Sequence, residues 1–222
     1  MRIIISFMFY LFSSALVAAP LSLVKVAVID TGLDFKYSGQ AKLCPTGHKD
    51  FTGEGLTDIN GHGTNVTGLI VKNNENANFC IILIKAYSFK NEQKTYLTEA
   101  LTYAYNLGVH VINLSGGGYD QIPEEKAIVL KILNKNITLV TPSGNGYINL
   151  DILCNYYPSC YDNRIYVIGN TALSSNYGSI VDLTYNGNLQ TAFGRTLSGS
   201  SQSVALFTNS LLKTITVLSK GK

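Results

Sequence analysis

Leu23-Val24-Lys25-Val26-Ala27-Val28-Ile29-Asp30-Thr31-Gly32 is a run of strand length that ends on an acid and a turn. Its β-branched, almost wholly apolar body suits a strand buried on both faces, and Thr-Gly marks where the chain leaves the sheet. Four runs of the same kind follow: Cys80 to Ala86, Val109 to Leu114, Ile137 to Thr141 and Ile165 to Gly169. Helical periodicity fills the intervals at about Thr64 to Lys72, Leu97 to Leu107 and Glu124 to Asn134, and a last helix spans Ser201 to Leu212. Apolar strands alternating with helices specify an α/β fold, a three-layer sandwich with a mostly parallel central sheet and helices on both faces. In such a sheet functional groups belong at the carboxyl ends of the strands. Asp30, Ser115 and Asn145 all fall there.

The whole chain sets the outer bounds. Its 222 residues suffice for one domain with a sizeable core, and 46% hydrophobic against 14% charged residues describes a globular chain. A net charge of +3, with the basic residues scattered, argues against nucleic acid as a partner. Arg2, the apolar run Ile3 to Val17 and the small-x-small Val17-Ala18-Ala19 read as a secretory signal over residues 1–19, with a single folded domain over 20–222. An uncleaved membrane anchor is the rival reading of that run. Once the signal is cleaved, no later segment is long and apolar enough to span a bilayer, so no membrane partner is expected of the mature domain, and a secreted or cell-envelope location is expected.

Export makes the four cysteines Cys44, Cys80, Cys154 and Cys160 candidates for two disulfides. Three pairings are formally open, and four buried thiols are the alternative. The six-residue spacing of Cys154 and Cys160 favours a local bridge, which leaves Cys44 and Cys80 to pair across two neighbouring strands. No metal site is expected, because no Cys-x-x-Cys spacing occurs and the histidines are not grouped with the cysteines.

Three segments then supply an acid, a base and a nucleophile. They are Val28-Ile29-Asp30-Thr31-Gly32, Gly61-His62-Gly63-Thr64 and Gly199-Ser200-Ser201-Gln202-Ser203. Serine is a poor nucleophile alone; an imidazole that takes its proton and a carboxylate that fixes the imidazole tautomer make it a good one. Singly, each has a plain structural explanation: Asp30 a turn residue, His62 a helix start, Ser201 a helix cap. Jointly, these explanations would all have to hold by coincidence. His48, in a polar loop, and His110, at a strand start, keep their structural reading.

With these segments in hand the chain resembles the subtilisin-like serine proteases from about Val24 to Asn209, and its Asp30, His62, Ser201 order is the order of that family. Further stretches resemble the family in sequence: Val111-Ile112-Asn113-Leu114-Ser115-Gly116-Gly117-Gly118, Thr141-Pro142-Ser143-Gly144-Asn145, Ser174-Ser175-Asn176-Tyr177-Gly178 with Val181-Asp182-Leu183, and Leu197-Ser198-Gly199-Ser200-Ser201. The resemblance implies peptide-bond hydrolysis through an acyl-enzyme. Asn145 would be an oxyanion donor, and Ser115, Gly116 and Gly117 a substrate-binding edge for an extended polypeptide. Gly61 and Gly63 would leave room beside His62 for substrate backbone, and Gly199 would permit the tight entry that exposes Ser201. No cofactor is required for that chemistry.

The chain departs from the pattern in places. Only about ten residues separate the expected mature start from Asp30, too few for a folding prodomain, which implies unaided folding or an inhibitor or chaperone acting in trans. Ala205 stands where the family usually has proline, Ser200 for threonine, and Gly116 for a bulkier residue. No acidic cluster with calcium-loop spacing stands out, so calcium sites are not carried over. The acceptor patterns at Asn65-Val66-Thr67 and Asn136-Ile137-Thr138 are expected to stay unglycosylated. A protease-like binding protein of little or no activity is the alternative from a different functional class.

Overall fold

The computed structural model describes residues 23–90 and 95–220, with side chains to residue 215; the expected signal over 1–19 lies outside these. The sheet is built from β1 (Val24–Asp30), β2 (Lys49–Asp50), β3 (Phe79–Lys85), β4 (Val111–Leu114), β5 (Thr138–Pro142), β6 (Tyr166–Asn170) and β7 (Leu183–Tyr185). Their order is β2-β3-β1-β4-β5-β6-β7 and every described pair is parallel. The helices are α1 (His62–Val71), α2 (Leu97–Leu107), α3 (Pro123–Asn134) and α4 (Ser200–Lys220). A hairpin of β8 (Gln190–Ala192) and β9 (Arg195–Leu197) stands apart from the sheet.

Alternation along the strands divides the core into two. Ala27, Ile29, Ile82, Ile84, Ile112 and Leu139 face one way, onto Leu101 and Ala104 of α2 and Val129 and Ile132 of α3. Val26, Val28, Ile81, Leu83, Val140 and Ile168 face the other, onto Leu69 and Ile70 of α1 and Val204 and Ala205 of α4. This is the expected three-layer α/β sandwich. Truncating a fully buried side chain such as Leu101 to alanine would cost about 2–5 kcal/mol.

The helix ends follow local rules. Pro123 and two glutamates open α3, and Gly108 at φ 60° closes α2 in the left-handed region that glycine enters without strain. Where the structure goes beyond the pattern, the cause is tertiary. β2 and β7 are too short to carry a periodicity, α1 starts at His62 and not Thr64, and α4 continues past Leu212 to Lys220.

Both disulfides form, with Cα separations of 4.9 Å for Cys44–Cys80 and 5.7 Å for Cys154–Cys160. One detail is corrected. Cys44 is not on a strand but follows Leu43, which makes an isolated bridge to Ile81 of β3. The same segment is held from its other side, where Lys42 Nζ donates to the carbonyls of Asn74, Glu75 and Ala77 at 3.2, 3.1 and 2.6 Å.

The chain leaves β1 for α1 on one face and leaves β3 for α2 on the other. A crevice therefore opens beyond the carboxyl ends of β1 and β4.

Candidate active site

Asp30 is the last residue of β1 and almost wholly buried. Its Oδ1 accepts from the Thr31 backbone N–H at 2.7 Å and lies 2.8 Å from His62 Nδ1. His62 is the first residue of α1, and part of its ring stays open to the crevice. Burial alone would push its pKa down; the Asp30 carboxylate, by charge and hydrogen bond, with Asp58 behind it, more than reverses this and leaves it raised. A base of that kind is well matched to taking a proton near neutral pH.

The start of α1 is fixed by a residue the sequence reading missed. Asp58 is buried, accepting from Gly61 N and Thr31 Oγ1 through Oδ1 at 2.8 and 2.9 Å. Its Oδ2 accepts from Thr64 N and Thr64 Oγ1 at 2.8 and 2.6 Å. A carboxylate satisfying the first-turn N–H groups is a helix cap, and Asp58 placed six residues before Thr64 was the signal for it. Thr31 Oγ1 in turn accepts from Gly63 N at 2.9 Å. The expectation that Gly63 clears space for substrate is corrected: a Cβ there would collide with Gly32 O and stand 3.0 Å from Asp30 Oδ1. Gly63 is bare so that α1 can press against the end of β1. Gly61 likewise faces Arg195, whose Nε a Cβ would meet at 2.8 Å.

Ser201 is the second residue of α4, where backbone N–H groups and the positive helix end favour an anion. Its Oγ donates to Ser115 O at 2.7 Å. Ser115 Oγ returns a bond to Ser201 O at 3.4 Å and accepts from Asn113 Nδ2 at 3.0 Å. Thr208 Oγ1 on α4 donates to Asn113 Oδ1 at 2.8 Å, so this helix is laced to the end of β4 at two levels. Among the described hydrogen bonds none joins Ser201 to His62. Catalytic hydrogen bonds in resting sites often form or tighten only with substrate bound.

Asn145 lies beyond β5, exposed, and its Oδ1 accepts from Ser200 N at 2.9 Å. That bond fixes which end of the amide faces where. Nδ2 is left over Gly199, at 3.3 Å from where a Cβ would stand. Gly199 itself takes φ 153° on entering α4, in keeping with the tight entry expected of it.

A cleft of about 380 Å³ brings Asp30, His62, Ser115, Gly116 and Gly117 together, with Tyr87 and Tyr156 as walls. Burial pushes the Tyr156 phenol up to about 12 and the Tyr87 phenol well above its ordinary value, so both stay neutral near pH 7. Gly117 needs its bareness, since a Cβ would stand 2.5 Å from Tyr157 O. A larger cavity of about 560 Å³, beside Lys42, Lys72 and Phe193, has no serine, cysteine or histidine among the described residues that line it.

The other polar residues singled out from the sequence are structural. His48 spans Cys44 O at 2.8 Å and the Leu83 N–H at 3.0 Å, and His110 Nδ1 accepts from Lys25 N at 3.0 Å. Asn65 is fully buried, its amide donating to Gln190 O and Arg195 O at 2.9 and 2.8 Å to hold β8 and β9 over α1. A glycan has no room there.

Comparison with known proteins supplies the family and the fold. The family model described as the Subtilase family (Peptidase_S8) matches residues 22–217. An intracellular serine protease of Paenibacillus polymyxa is 31% identical over 207 residues, which covers 80% of this chain and 62% of that protein. Subtilisin Savinase of Lederbergia lenta is 31% identical over 192 residues, covering 77% and 66%. For the major intracellular serine protease of Bacillus subtilis (strain 168) the identity is 28% over 188 residues, covering 74% and 58%. The chain thus spans between 58% and 66% of the length of these curated relatives. Among solved structures, a cold adapted subtilisin-like serine proteinase superposes with a TM-score of 0.71 at 22% identity, covering 86% of this chain and 75% of that one. A lanthipeptide protease superposes at 0.74 with 20% identity, covering 89% and 74%. At those identities the likeness speaks for the fold. The chain belongs to the subtilase family.

Proposed function

We propose that this chain is a serine endopeptidase that hydrolyses polypeptides through an Asp30–His62–Ser201 triad. The observation that carries the reading is the 2.8 Å contact between Asp30 and His62 at the rim of the cleft that Ser115 also lines, with Ser201 Oγ 2.7 Å from Ser115 O. Substrate lies extended along Ser115 to Gly117 and draws the Ser201 hydroxyl from Ser115 O towards the imidazole. His62 Nε2 takes the proton as Oγ attacks the scissile carbonyl carbon, and Asp30 holds the Nδ1–H and steadies the imidazolium. The oxyanion receives Asn145 Nδ2 and the Ser201 N–H, donors aimed where charge develops. His62 then protonates the leaving amine, and water, deprotonated by the same ring, releases the acyl group. No metal or organic cofactor enters any step.

We further propose export to the cell exterior or envelope, with residues 1–19 as signal and 20–222 as the peptidase domain. The two disulfides support this, since such bonds persist in oxidising compartments; the relatives named above include intracellular proteases as well as a subtilisin. An inhibitor or folding chaperone acting in trans belongs to the same proposal.

The second reading, a protease-shaped binding protein, has one observation in its favour: the Ser201 hydroxyl donates to a backbone carbonyl and not to a base. One experiment separates the two. Purified protein and its Ser201→Ala variant are assayed on a mixed peptide library and labelled with a fluorophosphonate. Hydrolysis and label that vanish in the variant support the peptidase; a folded wild type with neither supports the binding protein.

A further inference from the structure

Asn145 stands in an exposed loop beyond β5, and among the described hydrogen bonds its carboxamide makes one, to Ser200 N. A donor that must meet a developing oxyanion to within about half an ångström needs a firmer hold than that. We propose that the buried Asn176 is a positioning residue for the reaction: its side chain fixes the loop that carries Asn145, and so holds the Asn145 carboxamide between Ser200 N and the place where the oxyanion forms. This deepens the serine-endopeptidase reading and rests on it.

The contacts are the first ground. Asn176 is only 1% exposed. Its Oδ1 accepts from Gly146 N at 2.8 Å and from Ile148 N at 2.9 Å, and its Nδ2 donates to Ser143 O at 2.9 Å. Its own backbone N–H donates to Gly144 O at 3.0 Å. One residue therefore grips the chain on both sides of Asn145, at the two adjoining residues and again further out on each side.

The fit is the second ground. Gly144 stands at φ 101°, in the left-handed region, and a Cβ there would collide with Asn176 Nδ2. A Cβ on Gly146 would stand 3.3 Å from Asn176 Oδ1. The glycines that flank Asn145 thus let the loop close onto this amide. The loop presents it with two donors and one acceptor, a demand that a carboxylate of the same size, having no donor, does not meet.

Anchorage is the third ground. Ser175 Oγ accepts from the N–H of Asn170, the last residue of β6, at 3.0 Å and donates to Asn176 O at 3.0 Å. Tyr147 N donates to Ser174 O at 2.9 Å and Tyr177 N to Ile148 O at 3.0 Å, so the two segments stay bound beyond the amide. A line of hydrogen bonds runs from the end of β6 through Asn176 and the Asn145 loop to Ser200 N, beside Ser201. Asn176 touches no reacting atom, and it acts through Asn145. Its loss should therefore fall on kcat and leave KM little changed, as for an interaction made only in the transition state.

The test is a double-mutant cycle read by steady-state peptide hydrolysis. Asn176→Ala should lower kcat about ten- to a hundredfold, the cost of misplacing a catalytic group. In an Asn145→Ala background the same substitution has no donor left to misplace, and its effect should nearly vanish. Shrinkage beyond the roughly twofold scatter of independent sites supports the proposal; a fall of the same size in both backgrounds, or an unchanged kcat in Asn176→Ala, overturns it. If Asn176→Ala loses its cooperative melt, Asn176→Asp takes its place, since it keeps the size and the acceptor and removes only the bond to Ser143 O. A second readout needs no turnover. On the Ser201→Ala protein, adding Asn176→Ala should speed amide hydrogen exchange at Ser200 N about fivefold, the worth of one hydrogen bond. If wild type hydrolyses nothing, the peptidase reading falls and this exchange alone decides: faster exchange at Ser200 keeps Asn176 as the residue that positions Asn145, and unchanged exchange overturns it.

Discussion

The two halves of the site are prepared to different degrees. On the acid–base side, Asp30, Thr31, Asp58, Gly63 and Thr64 are knitted so that His62 already has its working partner at 2.8 Å. On the side of the proposed nucleophile, α4 is also anchored, yet the Ser201 hydroxyl donates to Ser115 O. The difference teaches that, under the proposed mechanism, the contact of His62 with Asp30 stands in the resting site while Ser201 has another partner.

The sharpest way to break the comparison is to remove the group that moves. Ser201→Ala should lower kcat by roughly 10⁶-fold, the loss recorded when a subtilisin-type triad loses its serine, read by single-turnover peptide hydrolysis. On the side already in place, Asp30→Asn should cost about 10⁴-fold by leaving the imidazole in the wrong tautomer. It should also shift the pH profile. Activity needs neutral His62, so it is present above the imidazole pKa and lost as pH falls through it; Asp30 raises that pKa, and the variant's acid limb should move to lower pH. An unmoved limb would mean that Asp30 does not set the charge on His62.

Asn145→Ala sharpens the comparison from the other side. It should lower kcat about 10²–10³-fold, some 3–4 kcal/mol of barrier, with little change in KM. A KM effect of that size would make Asn145 a binding group. The smallest effect is expected from Asp58→Ala, which touches no reacting atom. Loss of the cap should reduce stability by about 2 kcal/mol, lowering Tm by several degrees in thermal unfolding. It should reduce kcat only as far as α1 drifts from β1.

Much of this was legible in the sequence because it is written locally. An apolar run ending in Asp-Thr-Gly, a histidine between glycines and a serine after Gly-Ser each carry their own punctuation, and the strand–helix alternation gave the layers. What was not legible depends on contacts between distant segments. Asp58 is an exception, since its partners Gly61 and Thr64 lie only three and six residues on, and that spacing was not read. Gly63 was assigned to substrate because its true neighbour, Gly32 O, belongs to another segment. Cys44 was put on a strand, although one isolated bridge to Ile81 is all that aligns its segment. The resting direction of the Ser201 hydroxyl has no sequence signature, since any of three rotamers suits a helix start.

Lys42 has a consequence of a different kind. Its ammonium gathers three carbonyl oxygens from residues 74–77, the task a dissolved cation performs when it cements a turn. Here the cation is tethered to the polymer, so its local concentration is set by a few rotatable bonds and not by the medium. A turn sealed this way is indifferent to dilution and to chelating agents, a useful trait in any medium whose mineral content varies. It is exposed instead to whatever acylates amines.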